Sequence, residues 1–127
     1  MNVKVVDASA IGALVFAEPD AEKIAEELNG FILMAPHLLW FELASIGLKK
    51  IQIHPEQTRQ ILNAFYRAGS LLVETVDVNH SEIIELARDS GLTTYDASYL
   101  WLARHVGGTL FTLDRKLGNA AHSYGVL

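Results

Sequence analysis

Cysteine is missing altogether from these 127 residues, so neither a disulfide framework nor a thiolate metal site can hold the chain together. Cations are scarce as well. Ten Lys and Arg face 15 Asp and Glu, a formal charge of -5, which excludes a protein that coats nucleic acid by counterion release and leaves a bridging cation as the route to any polyanion. No apolar run is long enough for a bilayer: the longest uncharged stretch, residues 28–41, is 14 residues and contains Pro36, where about 20 apolar residues are needed. With no basic-then-apolar leader in view, the sequence predicts a cytoplasmic protein without a membrane span. Pro- or Ser-rich linkers, repeats and low-complexity stretches are absent too. What remains is half apolar, ample for one core, and predicts a single domain over residues 1–127.

Hydrophobic patterning alternates between strand and helix lengths. Val3, Val5 and Val6 read as a buried strand, residues 9–17 as a helix, and residues 20–28 as a second helix capped by Asp20 and stopped at Asn29-Gly30. Residues 31–35 read as a strand ended by Pro36, followed by helices over 38–51 and 54–68. A third strand is expected at 71–76, then a helix over 81–90 with Ile83, Ile84 and Ala87 inward and Gly91 at its end. Residues 95–106 read as a helix, 109–113 as a fourth strand and 115–124 as a last helix. This order predicts an α/β fold of three layers: a central parallel sheet of four or five strands covered on both faces by helices, with any site at the carboxyl ends of the strands.

Four carboxylates stand alone in stretches that otherwise read as core. Asp7 is the sole charge in residues 5–17, Glu42 in 38–48 and Asp96 in 92–103, while Asp114 ends an uncharged run and is followed by Arg115 and Lys116. An ionised carboxylate out of water costs several kcal/mol unless something neutralises it. Local cations are too few, and convergence of the four would add repulsion unless a divalent ion sat among them. Asp7 and Asp114 close strands expected to be parallel neighbours, and Asp96 opens the helix leading into the last strand, so convergence suits the fold. Oxygen-only donors select Mg²⁺ or Mn²⁺ over Zn²⁺. Taken singly, Asp7 and Asp114 also suit Asx turns, and Asp96 a helix cap that Thr93 or Thr94 could supply equally well. Glu42, inside a helix among Leu38, Leu39, Trp40, Phe41, Leu43 and Ile46, has no such local use.

Other conspicuous residues read as structural. His37, His54, His80, His105 and His122 lack metal-ligand spacing. Lys49-Lys50 suit the end of a helix. Trp40, Phe41, Tyr99 and Trp101 fall at helical spacing in apolar runs, as core or interface residues do rather than base-stacking platforms. Ser9 and Thr112 stand two residues from Asp7 and Asp114 without a base of their own, which suits contact to a carboxylate or a metal-bound water rather than nucleophilic attack.

Val5-Val6-Asp7-Ala8-Ser9, Glu42 in a mid-chain helix, residues 91–97 (GLTTYDA) and residues 112–117 (TLDRKL) together resemble the PIN-domain family over the whole chain. The length, Glu18-Pro19 and Tyr95-Asp96-Ala97 most resemble VapC-type toxins of prokaryotic toxin–antitoxin pairs. The resemblance implies a Mg²⁺- or Mn²⁺-dependent endoribonuclease acting on RNA through Asp7, Glu42, Asp96 and Asp114, working as a homodimer and silenced by a VapB-like antitoxin. Arg115 and Lys116 then become phosphate contacts. Where some relatives carry a further acid beyond Asp114, this chain has Arg115, Lys116 and Asn119. Two other classes share the alternating order. A receiver-like signalling domain wants paired acids after its first strand, where Asp7 is followed by Ala8, and a phospho-accepting acid after its third, where Asp77 is the nearest candidate. A catalytically silent PIN-like binding module would have no need to retain all four acids.

Overall fold

A computed structural model describes residues 2–127 as four strands and seven helices. In chain order these are β1 (Val3–Val6), α1 (Ala8–Val15), α2 (Ala21–Leu28), β2 (Ile32–Pro36), α3 (Leu38–Ile53), α4 (Thr58–Arg67), β3 (Val73–Val76), α5 (His80–Ser90), α6 (Thr94–His105), β4 (Thr109–Phe111) and α7 (Arg115–Ser123). All strand pairs are parallel, in the order β3-β2-β1-β4, with Val5 opposite both Met34 and Leu110. The expected three-layer α/β/α arrangement with a parallel sheet is the observed one, at four strands. Helices α1, α3 and α4 pack on one another, whereas α6 lies against β1, β2 and β4 and carries α5 and α7 beside it. A receiver-like sheet has the order 2-1-3-4-5, so the placement of β2 between β1 and β3 excludes that alternative.

The core is built from the β-branched and leucine-rich segments that the pattern singles out. Val5, Val6, Ile11, Leu39, Leu43, Leu100, Leu102 and Leu117 are fully buried, and truncating one of these leucines to alanine costs about 2–5 kcal/mol. Close backbone approach is needed at one strand: a Cβ on Gly108 would come within 2.6 Å of the Val3 carbonyl oxygen, so only glycine lets β4 pack beside β1. Gly91 closes α5 at a φ of 76°, the left-handed cap expected there.

Several boundaries differ from the sequence reading, each for a local reason. Helix α1 ends at Val15 rather than Ala17, because Ala17 itself takes the left-handed conformation at a φ of 49° and the N–H groups of Ala17 and Glu18 fold back onto the carbonyls of Leu14 and Ala13. Asp20 makes no side-chain cap. The helix expected over 54–68 is divided into a 3₁₀ turn at Pro55–Gln57, α4, and a second 3₁₀ turn at Ala68–Ser70. That second turn delays β3 to Val73. Strand β4 stops at Phe111 because the Thr112 hydroxyl accepts the Asp114 N–H at 3.0 Å and bends the chain away. In α5 Leu86, not Ile84, joins Ile83 in the core, and Phe41 of α3, expected in the core or an interface, is 80% exposed.

Candidate active site

The sheet order creates one topological switch point. From β1 the chain proceeds outward through β2 to β3, then returns across the opposite face to β4 on the other side of β1. The crevice beyond the carboxyl ends of β1 and β4 is where such sheets bind ligands. Asp7 follows β1 directly, and Thr112 follows β4 directly.

Asp7 is almost fully buried, at 5% exposure, and caps α1. Its Oδ1 accepts the Ser9 hydroxyl at 2.7 Å and the Ala10 N–H at 3.1 Å, while its Oδ2 accepts the Thr112 hydroxyl across 105 positions of sequence. Ser9 Oγ in turn accepts the Leu113 N–H at 2.9 Å. The two hydroxyls therefore tie the tips of β1 and β4 to each other and hold the carboxylate between them. Asp114 caps α7, with Oδ2 accepting the Leu117 N–H at 2.8 Å, so both acids at the strand tips sit at helix N-termini, whose partial positive charge favours an anion. Asp96 stands in the first turn of α6, but the cap there is Thr93, whose hydroxyl accepts the Asp96 N–H at 3.1 Å. The Asp96 carboxylate is left half-buried and free of the cap. Glu42 projects from the second turn of α3, its Oε1 accepting the Tyr99 hydroxyl at 2.6 Å.

Electrostatics shows that the four acids share one field. Burial is the main force pushing Asp7, Glu42 and Asp96 above their ordinary carboxylate range, and each is pushed further by its neighbours. Asp114 repels Asp7, Asp114 and Asp7 repel Asp96, and Asp96 and Asp7 repel Glu42. Hydrogen bonds from Thr112, Ser9 and Ala10 oppose the rise at Asp7, the Tyr99 hydroxyl opposes it at Glu42, and Lys116 opposes it at Asp96. Tyr99 itself, 1% exposed, is driven far upward by burial and by Glu42. It remains a permanent hydrogen-bond donor. Tyr99 is the residue that reading the sequence missed as part of the site. The available signal was its place three residues after Asp96, on the same helix face.

Among the described residues, no three His, Cys, Asp or Glu side chains are drawn together tightly enough to enclose a metal ion. The donor chemistry is nevertheless that of a hard cation. Mg²⁺ keeps several of its waters and is held by one or two carboxylates rather than an all-protein cage, which is what oxygens left free on Asp96, Asp114 and Glu42 offer. One or two of these carboxylates are enough for such an ion. The five histidines lie elsewhere at helix ends, two of them beside carboxylates: His37 near Asp77 at 3.1 Å and His54 near Glu56 at 3.4 Å. Arg115 and Lys116 form the exposed first turn of α7 next to Asp114.

Comparison with known proteins agrees with this geometry. A family model described as the PIN domain matches residues 4–123. The chain is 36% identical over 122 residues to Ribonuclease VapC3 of Pyrobaculum aerophilum, covering 89% of this chain and 90% of that protein. The crystal structure of PAE2754 from Pyrobaculum aerophilum superposes with a TM-score of 0.76 at 28% identity, over 94% of this chain and 84% of that one. VapC20 of Mycobacterium tuberculosis, described as a sarcin–ricin loop cleaving toxin, shares the fold at a TM-score of 0.68 and 16% identity, over 92% and 94% of the two chains.

Proposed function

Because the chain belongs to the PIN-domain family, we propose that it is a Mg²⁺- or Mn²⁺-dependent endoribonuclease and the toxin of a type II toxin–antitoxin pair. The observation that supports this reading is that Asp7 and Asp114 follow the adjacent parallel strands β1 and β4, whose tips Ser9 and Thr112 tie together, while Tyr99 joins Glu42 to the helix that carries Asp96, so that negative charge gathers at one end of the sheet. A polyanionic substrate can approach such a pocket only when the surplus negative charge is neutralised. The bound divalent ion would supply an activated water and a counter-charge for hydrolysis of the phosphodiester.

The protein's own groups then have distinct tasks. Asp7, fixed by three hydrogen bonds, is the rigid member of the acid set, and Glu42, tethered only through Tyr99, is the adjustable one. Asp96 and Asp114 complete the set with free oxygens. Arg115 and Lys116 occupy a helix N-terminus, where the dipole disfavours cations. A phosphate held between them and the helix end would make that placement favourable. The Ser9 hydroxyl donates a hydrogen bond to Asp7 and accepts one from the Leu113 N–H, so it is not presented to substrate, and the reaction proceeds by direct attack of water without a covalent intermediate.

A homodimer and a VapB-like antitoxin belong to the same proposal. The mean hydropathy of +0.22 is high for a chain of this size that works alone, and Leu48, Ile53, Leu62, Tyr66 and Leu72 are exposed. Such surface suits cover by another chain. No helix among the described residues is long and apolar enough to cross a membrane.

The deciding experiment incubates purified protein with structured RNA in Mn²⁺, in Mg²⁺ and in EDTA, beside its Asp96→Asn variant. Cleavage that requires the cation and disappears in the variant is expected. Undiminished metal-dependent cleavage by Asp96→Asn protein would overturn the assignment. For the pairing, a neighbouring reading frame encoding a small protein with a DNA-binding N-terminus and a disordered tail is expected, and light scattering that finds a monomer at every concentration would remove the dimer.

A further inference from the structure

Two of the candidate acids are each preceded by an aromatic residue that points out of the core. Phe41 precedes Glu42 and is 80% exposed, and Tyr95 precedes Asp96 and is 65% exposed. Leaving a large ring in water forfeits its burial, and among the described residues neither ring stacks on another aromatic or carries a cation over its face. They lie on different helices, α3 and α6, yet both line one open cavity of about 500 Å³ together with Glu42, Ser45 and Lys49. On α3 these last three recur at helical spacing, so one stripe runs from the acid through a hydroxyl to a cation. Lys49 forms no ion pair among the described residues, in contrast to Lys50, which is engaged by Glu18 at 2.8 Å.

We propose that this cavity is a subsite for one unpaired nucleobase, stacked on Phe41 and Tyr95 beside the acid cluster, with Lys49 holding the adjoining phosphate. The proposal rests on the ribonuclease reading and deepens it by naming the residues outside the acid set that grip the strand: Phe41, Tyr95 and Lys49. The chemistry selects this occupant. A continuous duplex keeps its bases paired inside and has no ring to offer, whereas an unpaired base presents a π-face to an aromatic side chain whatever its identity. Glu42 lines the cavity, as does Tyr95, the chain neighbour of Asp96, so a base seated there brings its own phosphodiester toward these two acids. A lysine at the far end supplies the positive charge that a chain of -5 otherwise withholds from a polyanion.

The test uses the full-length Asp7→Asn chain in Mg²⁺ and a short single-stranded oligoribonucleotide with one 2-aminopurine, whose fluorescence is quenched on stacking. Phe41→Ala and Tyr95→Ala are expected each to weaken binding about tenfold and to abolish the quench, while Phe41→Trp retains both. Lys49→Gln is expected to lower the salt dependence of binding by about one counterion. The same oligonucleotide in a blunt duplex, or carrying an abasic site in place of the 2-aminopurine, is expected to bind the parent chain no better than the single strand binds the alanine variants. Both rings are mostly in solvent, so alanine leaves the core intact. Unchanged affinity and quench in the Phe41→Ala Tyr95→Ala double variant would overturn the subsite, even where RNA is still cut by the chain with Asp7 intact. Loss of dimer mass in light scattering with RNA affinity retained would overturn it in favour of a protein interface. Binding and quench intact in a protein that cuts no RNA would uphold the subsite and end the nuclease reading instead.

Discussion

The two halves of the crevice are built differently. At the strand tips, Asp7 is clamped by Ser9, Ala10 and Thr112, and the same hydroxyls hold the backbone of Leu113 and Asp114. On the helix side, among the described residues, Glu42 has a single tether, the Tyr99 hydroxyl, and the Asp96 carboxylate has none. The first half is fixed before any ligand arrives. The second can shift by side-chain rotation, which suits groups that must settle around a cation and a phosphate. The contrast teaches that pre-organisation here is paid for at Asp7, the deepest acid, where hydrogen bonds offset part of the desolvation.

Replacing the clamped acid should give the largest effect. Asp7→Asn is expected to reduce RNA cleavage by at least about a hundredfold while raising the melting temperature, since a buried repulsive charge is removed and the amide can keep the Ser9 and Ala10 hydrogen bonds. Gel-based cleavage rates and a thermal melt check the pair, and a lower melting temperature would show that the clamp, not the charge, dominates at that position.

Thr112→Val comes next. It deprives Asp7 Oδ2 of its donor and the Asp114 N–H of its acceptor, so cleavage should fall about 10- to 100-fold, with Thr112→Ser restoring most of it. Tyr99→Phe probes the looser half. A severalfold loss of rate and about 1 kcal/mol of stability are expected, read by single-turnover kinetics and denaturant unfolding. Because the Tyr99 hydrogen bond lowers the Glu42 pKa, its loss should also move the acid limb of the rate profile to higher pH. A larger rate loss from Tyr99→Phe than from Thr112→Val would invert the comparison between the halves.

The smallest effect is on stability against pH. Folded-state values for Asp7, Glu42 and Asp96 are raised above those of the unfolded chain, so the folded protein binds protons more tightly than the unfolded one. The resulting stabilisation is fully present below the unfolded carboxylate values, near about pH 4, and is lost as pH rises through the raised ones. In EDTA the melting temperature should therefore climb by a few degrees as pH is lowered from about 7 towards 5. Millimolar Mg²⁺ should recover most of that difference at pH 7 by binding the folded state alone. A melting temperature that falls on mild acidification in EDTA would contradict the shared field of the four acids.

The sequence by itself determined the order of strands and helices, the lone acids and the glycine stop after α5, because periodicity, capping and turn chemistry act over a few residues. It made Glu42 conspicuous, since no local use accounts for an acid in that helix. It misjudged Ile84, whose spacing fits an inward face although the helix presents it to solvent, and of the two places it allowed Phe41, core or interface, the exposure removes the core. The expected pairing of the strands closed by Asp7 and Asp114 is the observed one, but only the tertiary structure decided that β2 lies between β1 and β3, that Tyr99 reaches Glu42 across 57 positions and that Thr112 reaches Asp7 across 105. Strand neighbours and cross-chain hydrogen bonds are settled by which faces can be buried together, and no local pattern records that choice.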